Sequence, residues 1–207
     1  STGAQYINTG VSWDTNDLKF EGKYSYNQLN GHSSIFGTQG HSNNSNLILR
    51  EESGTLRWWM SNTSTTITTV AVGQKINFDL EMKSSGTFSY NVSIDNNVPV
   101  TGTGVHGNIF DSNYIYLFDT QINGGTGSAA ANTIKCSAKL YGFKITKNGT
   151  LVRNFIPAIN PSGVAGLYDL VEGKFYTNSG TGSFTVSETY VDSYNIETAT
   201  FNIPSPS

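Results

Sequence analysis

What the sequence lacks narrows its class first. Cys136 is alone in 207 residues, so no internal disulfide forms and a small stapled scaffold is excluded. A chain of this length buries a core without such staples. Charged residues make up only 13% and the net charge is −3, which leaves no basic footprint for nucleic acid or an anionic membrane. No apolar run approaches the ~20 residues needed to cross a bilayer. No signal peptide is visible. No stretch reads as a convincing helix, an internal repeat or a second domain. The histidines His32, His41 and His106 sit in polar loops without a partner at metal-ligand spacing. No G-x-S-x-G elbow or glycine-rich phosphate loop is evident.

What is present is alternation. Gly 22, Tyr 11 and Phe 11 describe many short strands with polar turns. Leu18, Phe20, Tyr24 and Tyr26 alternate with Lys19, Glu21, Lys23 and Ser25, so one face is wet and one dry. Ile76, Phe78, Leu80 and Met82 alternate with Asn77, Asp79 and Glu81. After Ser85-Gly86 the pattern repeats from Phe88 to Ile94, which makes a long antiparallel hairpin. In Thr55–Met60, Leu56, Trp58 and Met60 share the core face and Arg57 and Trp59 the wet face. Thr63 to Thr69 reads as an edge strand or a loop, and Thr101 to Gly107 as a loop. Asn113 to Asp119 reads as a central strand with Tyr114 and Tyr116 toward a groove. Cys136 alternates with Ile134 and Ala138 and reads as a small buried hydrophobe.

Residues 140–182 hold two successive hairpins. The first turns at Asn148-Gly149, a pair suited to positive φ at both central residues. Pro157 and Pro161 are expected to stop its return strand, since proline donates nothing to a ladder. The second hairpin turns at Glu172-Gly173. Roughly a dozen strands with alternating faces predict an all-β fold of two antiparallel sheets packed face to face.

The segments FKI…NGTLVRNFIP and GLYDLVEGKFYTNSGTGSF resemble the last strands of LamG-like domains of the concanavalin A-like lectin/glucanase superfamily. The opening STGAQYINTG is similar to their first strand. The resemblance spans residues 1–187 and implies a jelly-roll β-sandwich. It also implies a module of large secreted or surface proteins of gut Firmicutes and their phages. Residues 188–207 read as a C-terminal extension whose Pro204-Ser205-Pro206-Ser207 resembles the start of a linker.

The reading of function that follows is a non-catalytic, extracellular, lectin-like module. An exposed aromatic stacks on the apolar face of a sugar while planar polar groups bond its hydroxyls. The candidates are Trp59 with Arg57, Tyr114, Tyr116, Trp13 in a polar turn, and Asn77, Asp79 and Asn91 on the central hairpin. A protein-binding adhesion or phage receptor-binding module, with a host surface protein as partner, is the alternative. Glycoside hydrolysis needs paired carboxylates, and Asp79 with Glu81 supplies two. Superfamily glucanases carry a further carboxylate where this chain has Asn77. No cofactor is expected. Calcium is the one candidate metal, with Asp14, Asp17, Asp95, Asp111 and Asp119 as its candidate ligands.

Overall fold

The computed structural model describes residues 5–14, 17–40, 45–107, 112–122 and 136–186. The strands are β1 (Ile7–Ser12), β2 (Leu18–Tyr26), β3 (Ser33–Gln39), β4 (Asn46–Glu52) and β5 (Thr55–Met60). Next come β6 (Thr63–Thr69), β7 (Ile76–Met82), β8 (Thr87–Ile94), β9 (Val100–Val105) and β10 (Tyr114–Leu117). The last are β11 (Gln121–Ile122), β12 (Ala138–Lys147), β13 (Thr150–Ile159), β14 (Ala165–Asp169) and β15 (Lys174–Tyr176). No helix occurs among the described residues.

Two sheets result, and they make the face-to-face antiparallel sandwich that the alternation predicts. The first runs β1-β10-β3-β4-β5-β6, with β11 pairing parallel to β3. The second runs β15-β14-β13-β12-β2-β7-β8-β9. Every other residue of β7 is buried, from Ile76 to Met82, so the period-two pattern converts directly into an inner and an outer face.

Four phenylalanines join the layers. Phe20, Phe78 and Phe143 come from the second sheet and Phe36 from the first. Phe36 lies with its ring 4.7 Å from Phe20, 5.3 Å from Phe143 and 5.9 Å from Phe78. Such pairs contribute about 0.5–1.5 kcal/mol each beyond area burial. Gly22 makes room for them. It stands in register between Phe78 and Phe143, and a Cβ there would lie 2.6 Å from Phe78 Cζ and 2.8 Å from the Gly142 carbonyl oxygen.

Several polar groups in the core have partners, although the Trp58 indole N–H and the Thr38 hydroxyl are buried without a hydrogen bond among the described residues. Tyr26 donates its hydroxyl to the Ser33 carbonyl at 3.0 Å, and burial pushes the phenols of Tyr24 and Tyr26 far up. The Asp169 carboxylate is fully buried. Its Oδ1 accepts the N–H groups of Asn154 at 2.8 Å and Val171 at 3.1 Å, and Arg153 Nε lies 3.7 Å from Oδ2. Arg153 also donates to the Thr9 carbonyl at 2.8 Å, which ties the last hairpins to β1. Cys136 is fully buried, in the small-hydrophobe role its alternation suggested.

The turn chemistry agrees with the sequence. Asn148 and Gly149 take φ of 49° and 76°. Several other expectations are corrected. Val100–Val105 is a strand paired to β8, not a loop. Its glycines misled the reading, and they face ring edges: a Cβ on Gly104 would lie 2.5 Å from Phe88 Cζ. Thr63–Thr69 is the edge strand rather than a loop. Pro157 does not end its strand. β13 continues to Ile159, because the β12 ladder ends at Phe155 and Pro157 pairs with β14 alone, a position that proline tolerates. His106 is buried at 7% exposure, with both ring nitrogens facing the carbonyl oxygens of Gly107 and Lys83. Residues 188–207 lie outside the described residues.

Replacing Gly22 with alanine tests the ring cluster. Overpacking of this kind costs about 1–3 kcal/mol. Urea denaturation is expected to show a loss of that size for Gly22→Ala, and none for Gly31→Ala beyond its positive-φ strain, since nothing lies within 4 Å of a Cβ there.

Candidate functional site

The sequence candidates fall in three places. Trp13 is fully buried, which removes it from any binding role. Its polar neighbours Asp14 and Asn16 suggested a wet turn. Instead Trp13 extends the inward parity of Ile7, Thr9 and Val11, and its backbone N–H donates to the Asn113 carbonyl at 3.0 Å.

Trp59, Arg57, Tyr114 and Tyr116 share the outer face of the first sheet. Tyr116, Gly37, Ile48 and Trp59 form one cross-strand row. Three strand spacings, roughly 14 Å, separate Tyr116 from Trp59. Tyr116 is a correction as a groove residue: it is only 4% exposed, and Tyr6 stacks on it at 4.9 Å and 9°. Tyr114 is 45% exposed and stands opposite Ser12 at the end of β10.

Around Trp59 the β4–β5 hairpin builds a defined cluster. Its turn, Ser53-Gly54, takes φ of 50° and 82°, and the pairing sets Arg50 opposite Arg57 and Ile48 opposite Trp59. Two like charges directly opposed repel, and Glu52 resolves this. Its Oε1 accepts the Trp59 indole N–H at 2.9 Å and Arg50 Nε at 2.6 Å. Arg57 Nε lies 3.4 Å from Oε2. The Arg50 guanidinium sits 4.8 Å from the centre of the Trp59 ring. One carboxylate therefore fixes an indole and two guanidinium groups in a single partly buried patch. The sequence reading found Trp59 and Arg57 but not Arg50 and Glu52. The signal was present, since Ile48, Arg50 and Glu52 are spaced two apart on one strand.

Asn77, Asp79 and Asn91 lie on the outer face of the second sheet, across the sandwich from Trp59. They are neighbours there: Asp79 stands opposite Asn91, and Asn77 donates to Ser93 Oγ at 3.3 Å. Asp79 is held by Lys19 at 3.0 Å, and Glu81 by Lys83 at 2.6 Å. Burial works against the Lys19 charge, but Asp79 and Glu21 outweigh it and the ammonium is held above its ordinary range. Glu81 and then Asp17 do the same for Lys83. The carboxylate pair is thus exposed and engaged by lysines, unlike an acid and base kept apart in a dry cleft.

The aspartates considered for calcium are dispersed. Asp14 binds Lys147 at 2.7 Å, Asp95 accepts the Lys75 backbone N–H at 2.7 Å, and Asp119 is buried beside Thr120. Asp111 lies outside the described residues. Asp17 joins three hairpin ends, bonding the Ser84 N–H, Lys83 and the Asn148 side chain. Among the described residues no three metal-ligating side chains converge.

No family description and no curated protein sequence matches the chain. Several solved structures do. Domains LG4-5 of the mouse laminin alpha1 chain are 13% identical with a TM-score of 0.46, over 73% of this chain and 40% of that one. An alginate lyase from Corynebacterium sp. is 15% identical with a TM-score of 0.42, over 66% and 62%. A scytalido-glutamic peptidase is 11% identical with a TM-score of 0.42, over 86% and 97%. The chain thus spans about two-fifths of the laminin structure and three-fifths of the lyase. These likenesses assign no activity.

The Ser84 N–H, ahead of Lys83, holds the Asp17 carboxyl below its ordinary value of 3.8. A depressed carboxyl stabilises the fold above its unfolded value, and this is lost as pH falls through the folded one. Asp17→Asn is therefore expected to lower Tm at pH 7, with the gap to the parent protein closing below about pH 4. Thermal melts across pH 2.5–7 (roughly the range that brackets both values) check this; a pH-independent gap would contradict it.

Proposed function

We propose that this chain is a non-catalytic, extracellular carbohydrate-binding module, one part of a larger secreted or surface protein. The observation that carries the reading is the Trp59–Arg50–Glu52–Arg57 patch. Arg50 covers one face of the indole and Glu52 takes its N–H, so the ring is locked before any ligand arrives. Locking a binding group in advance reduces the entropy lost on association. The remaining indole surface offers a stacking platform for the C–H face of a sugar. Arg57, whose Nε lies 3.4 Å from Glu52, offers guanidinium donors to hydroxyls. Ser64, opposite Trp59, adds a hydroxyl at the rim.

A protein-binding role is the second reading, and β9 favours it. This edge strand carries no charge, and Val98 just before it and Val105 at its end are 90% and 71% exposed. Uncharged exposed edges are templates for strand addition.

The test of the first reading is Trp59→Ala against a panel of neutral and acidic glycans. Binding to at least one glycan is expected to fall more than tenfold, while Tm moves by no more than a few degrees. Trp58→Ala, which empties a fully buried site, is the contrast and is expected to cost about 3–5 kcal/mol. A parent protein that binds no glycan, but captures a peptide that competes at β9, would move the assignment to the second reading.

A further inference from the structure

The outer face of the second sheet carries charge out of keeping with the chain. The whole sequence has a net charge of −3. Yet along β2, β7 and β12 and just past their ends this face presents six lysines, Lys19, Lys23, Lys75, Lys83, Lys139 and Lys144, against five carboxylates, Glu21, Asp79, Glu81, Asp17 and Asp95. The carboxylates are all taken. Lys19 binds Glu21 at 3.4 Å and Asp79 at 3.0 Å, and Lys83 binds Glu81 at 2.6 Å. Among the described residues, no carboxylate lies within ion-pairing distance of Lys23, Lys75, Lys139 or Lys144.

These lysines are organised by a break in the sheet. The β12–β2 register shifts between Leu140 and Gly142, and a bulge of this kind re-aims a side chain out of the ladder. The residue re-aimed is Tyr141. The ammonium groups of Lys23 and Lys75 each lie 5.9 Å from the centre of its ring. Beside it runs a groove of about 220 Å³, lined by Tyr141, Lys23, Lys144, Glu21, Asn154 and Ile156. Gly142 stands opposite Lys23, so no side chain closes the groove at that point. Asp95 contacts Lys75 through its backbone N–H, not its ammonium.

We propose that this groove is a second binding site, and that its ligand is an acidic polysaccharide bearing carboxylate or sulfate groups. The lysines supply counter-charge for anionic substituents. Tyr141 supplies a ring for a sugar face. The row beyond the groove supplies hydrogen-bonding groups: Asn154, Lys144, Glu21, Asp79 and Asn91 stand in consecutive register across five strands, with the uncharged Asn77 and Ser93 in the row alongside. Nucleic acid fits this surface less well, since its phosphates recur about every 3.4 Å along each strand, a charge density for which a chain of net charge −3 leaves no footprint. The site is independent of the Trp59 patch, which lies on the opposite outer face.

The experiment measures binding of the whole chain to polygalacturonate, chondroitin sulfate, neutral dextran and single-stranded DNA. The variants are the triple Lys23→Gln/Lys75→Gln/Lys144→Gln, Tyr141→Ala and Trp59→Ala. The parent protein is expected to bind at least one acidic polysaccharide, with affinity falling roughly tenfold between 50 and 200 mM salt. The lysine triple and Tyr141→Ala each lose at least tenfold in affinity with Tm unchanged, and Trp59→Ala keeps this binding. Absence of acidic-glycan binding, full binding by the lysine triple, or equal affinity for DNA with the same salt dependence would each overturn the proposal. Loss through Trp59→Ala alone would place all binding on the first sheet and overturn it as well.

Discussion

The contact between Phe36 and the three phenylalanines facing it holds the two sheets in one registration. Everything functional here is a consequence of which side chains that contact leaves outside. Phe20, Phe78 and Phe143 lie on three adjacent strands of one sheet, and the gap that lets their rings meet is the missing side chain of Gly22. Once these rings point inward, the alternation of each strand assigns the opposite parity to solvent. Lys19, Glu21, Asp79 and Lys144 go out together, as do Arg50, Arg57 and Trp59 on the other layer. The inner packing thus determines the composition of both outer surfaces.

Those two surfaces have different characters, and the difference lies in how their charges are arranged. On the first sheet a single carboxylate, Glu52, gathers an indole and two guanidinium groups into one compact patch. On the second sheet Glu21, Asp79 and Glu81 are paired off by two lysines, and Lys23, Lys75 and Lys144 collect around Tyr141. The net charge of the chain conceals this segregation. A surface that keeps uncompensated lysines in proximity costs stability in the free protein, a cost that a bound anion offsets.

The fold was legible because its signals are local. Period two in β2, β7 and β8, the Asn148-Gly149 turn and the inward set of Leu56, Trp58 and Met60 each depend on a few consecutive residues. The errors arose where a local cue met a long-range one. Trp13 sits among polar neighbours, yet its parity from Ile7 carries it into the core. Gly102 and Gly104 looked like loop residues, but they are the spaces into which aromatic rings of β8 fit. Pro157 reads as a stop until the end of the β12 ladder is known. The candidate site was legible only in part for the same reason. Arg57 and Trp59 are neighbours on one strand, whereas Glu52 and Arg50 reach them across the hairpin. Asp79 was visible as one of a pair of carboxylates, while Tyr141 depends on a register shift that no periodicity announces.

The start and the end of the described fold are stitched to each other. Tyr6 accepts the Ser179 N–H at its carbonyl and donates its own N–H to the Asn178 side chain, at 2.9 and 3.0 Å, and Gln5 reaches the Thr181 carbonyl at 3.3 Å. The described fold therefore begins and ends at one pole. Tension applied through the chain loads these few bonds one after another, as a zip, rather than shearing the long ladders in parallel. Under mechanical load the ends peel apart first, while the Phe36 contact and both outer faces stay intact.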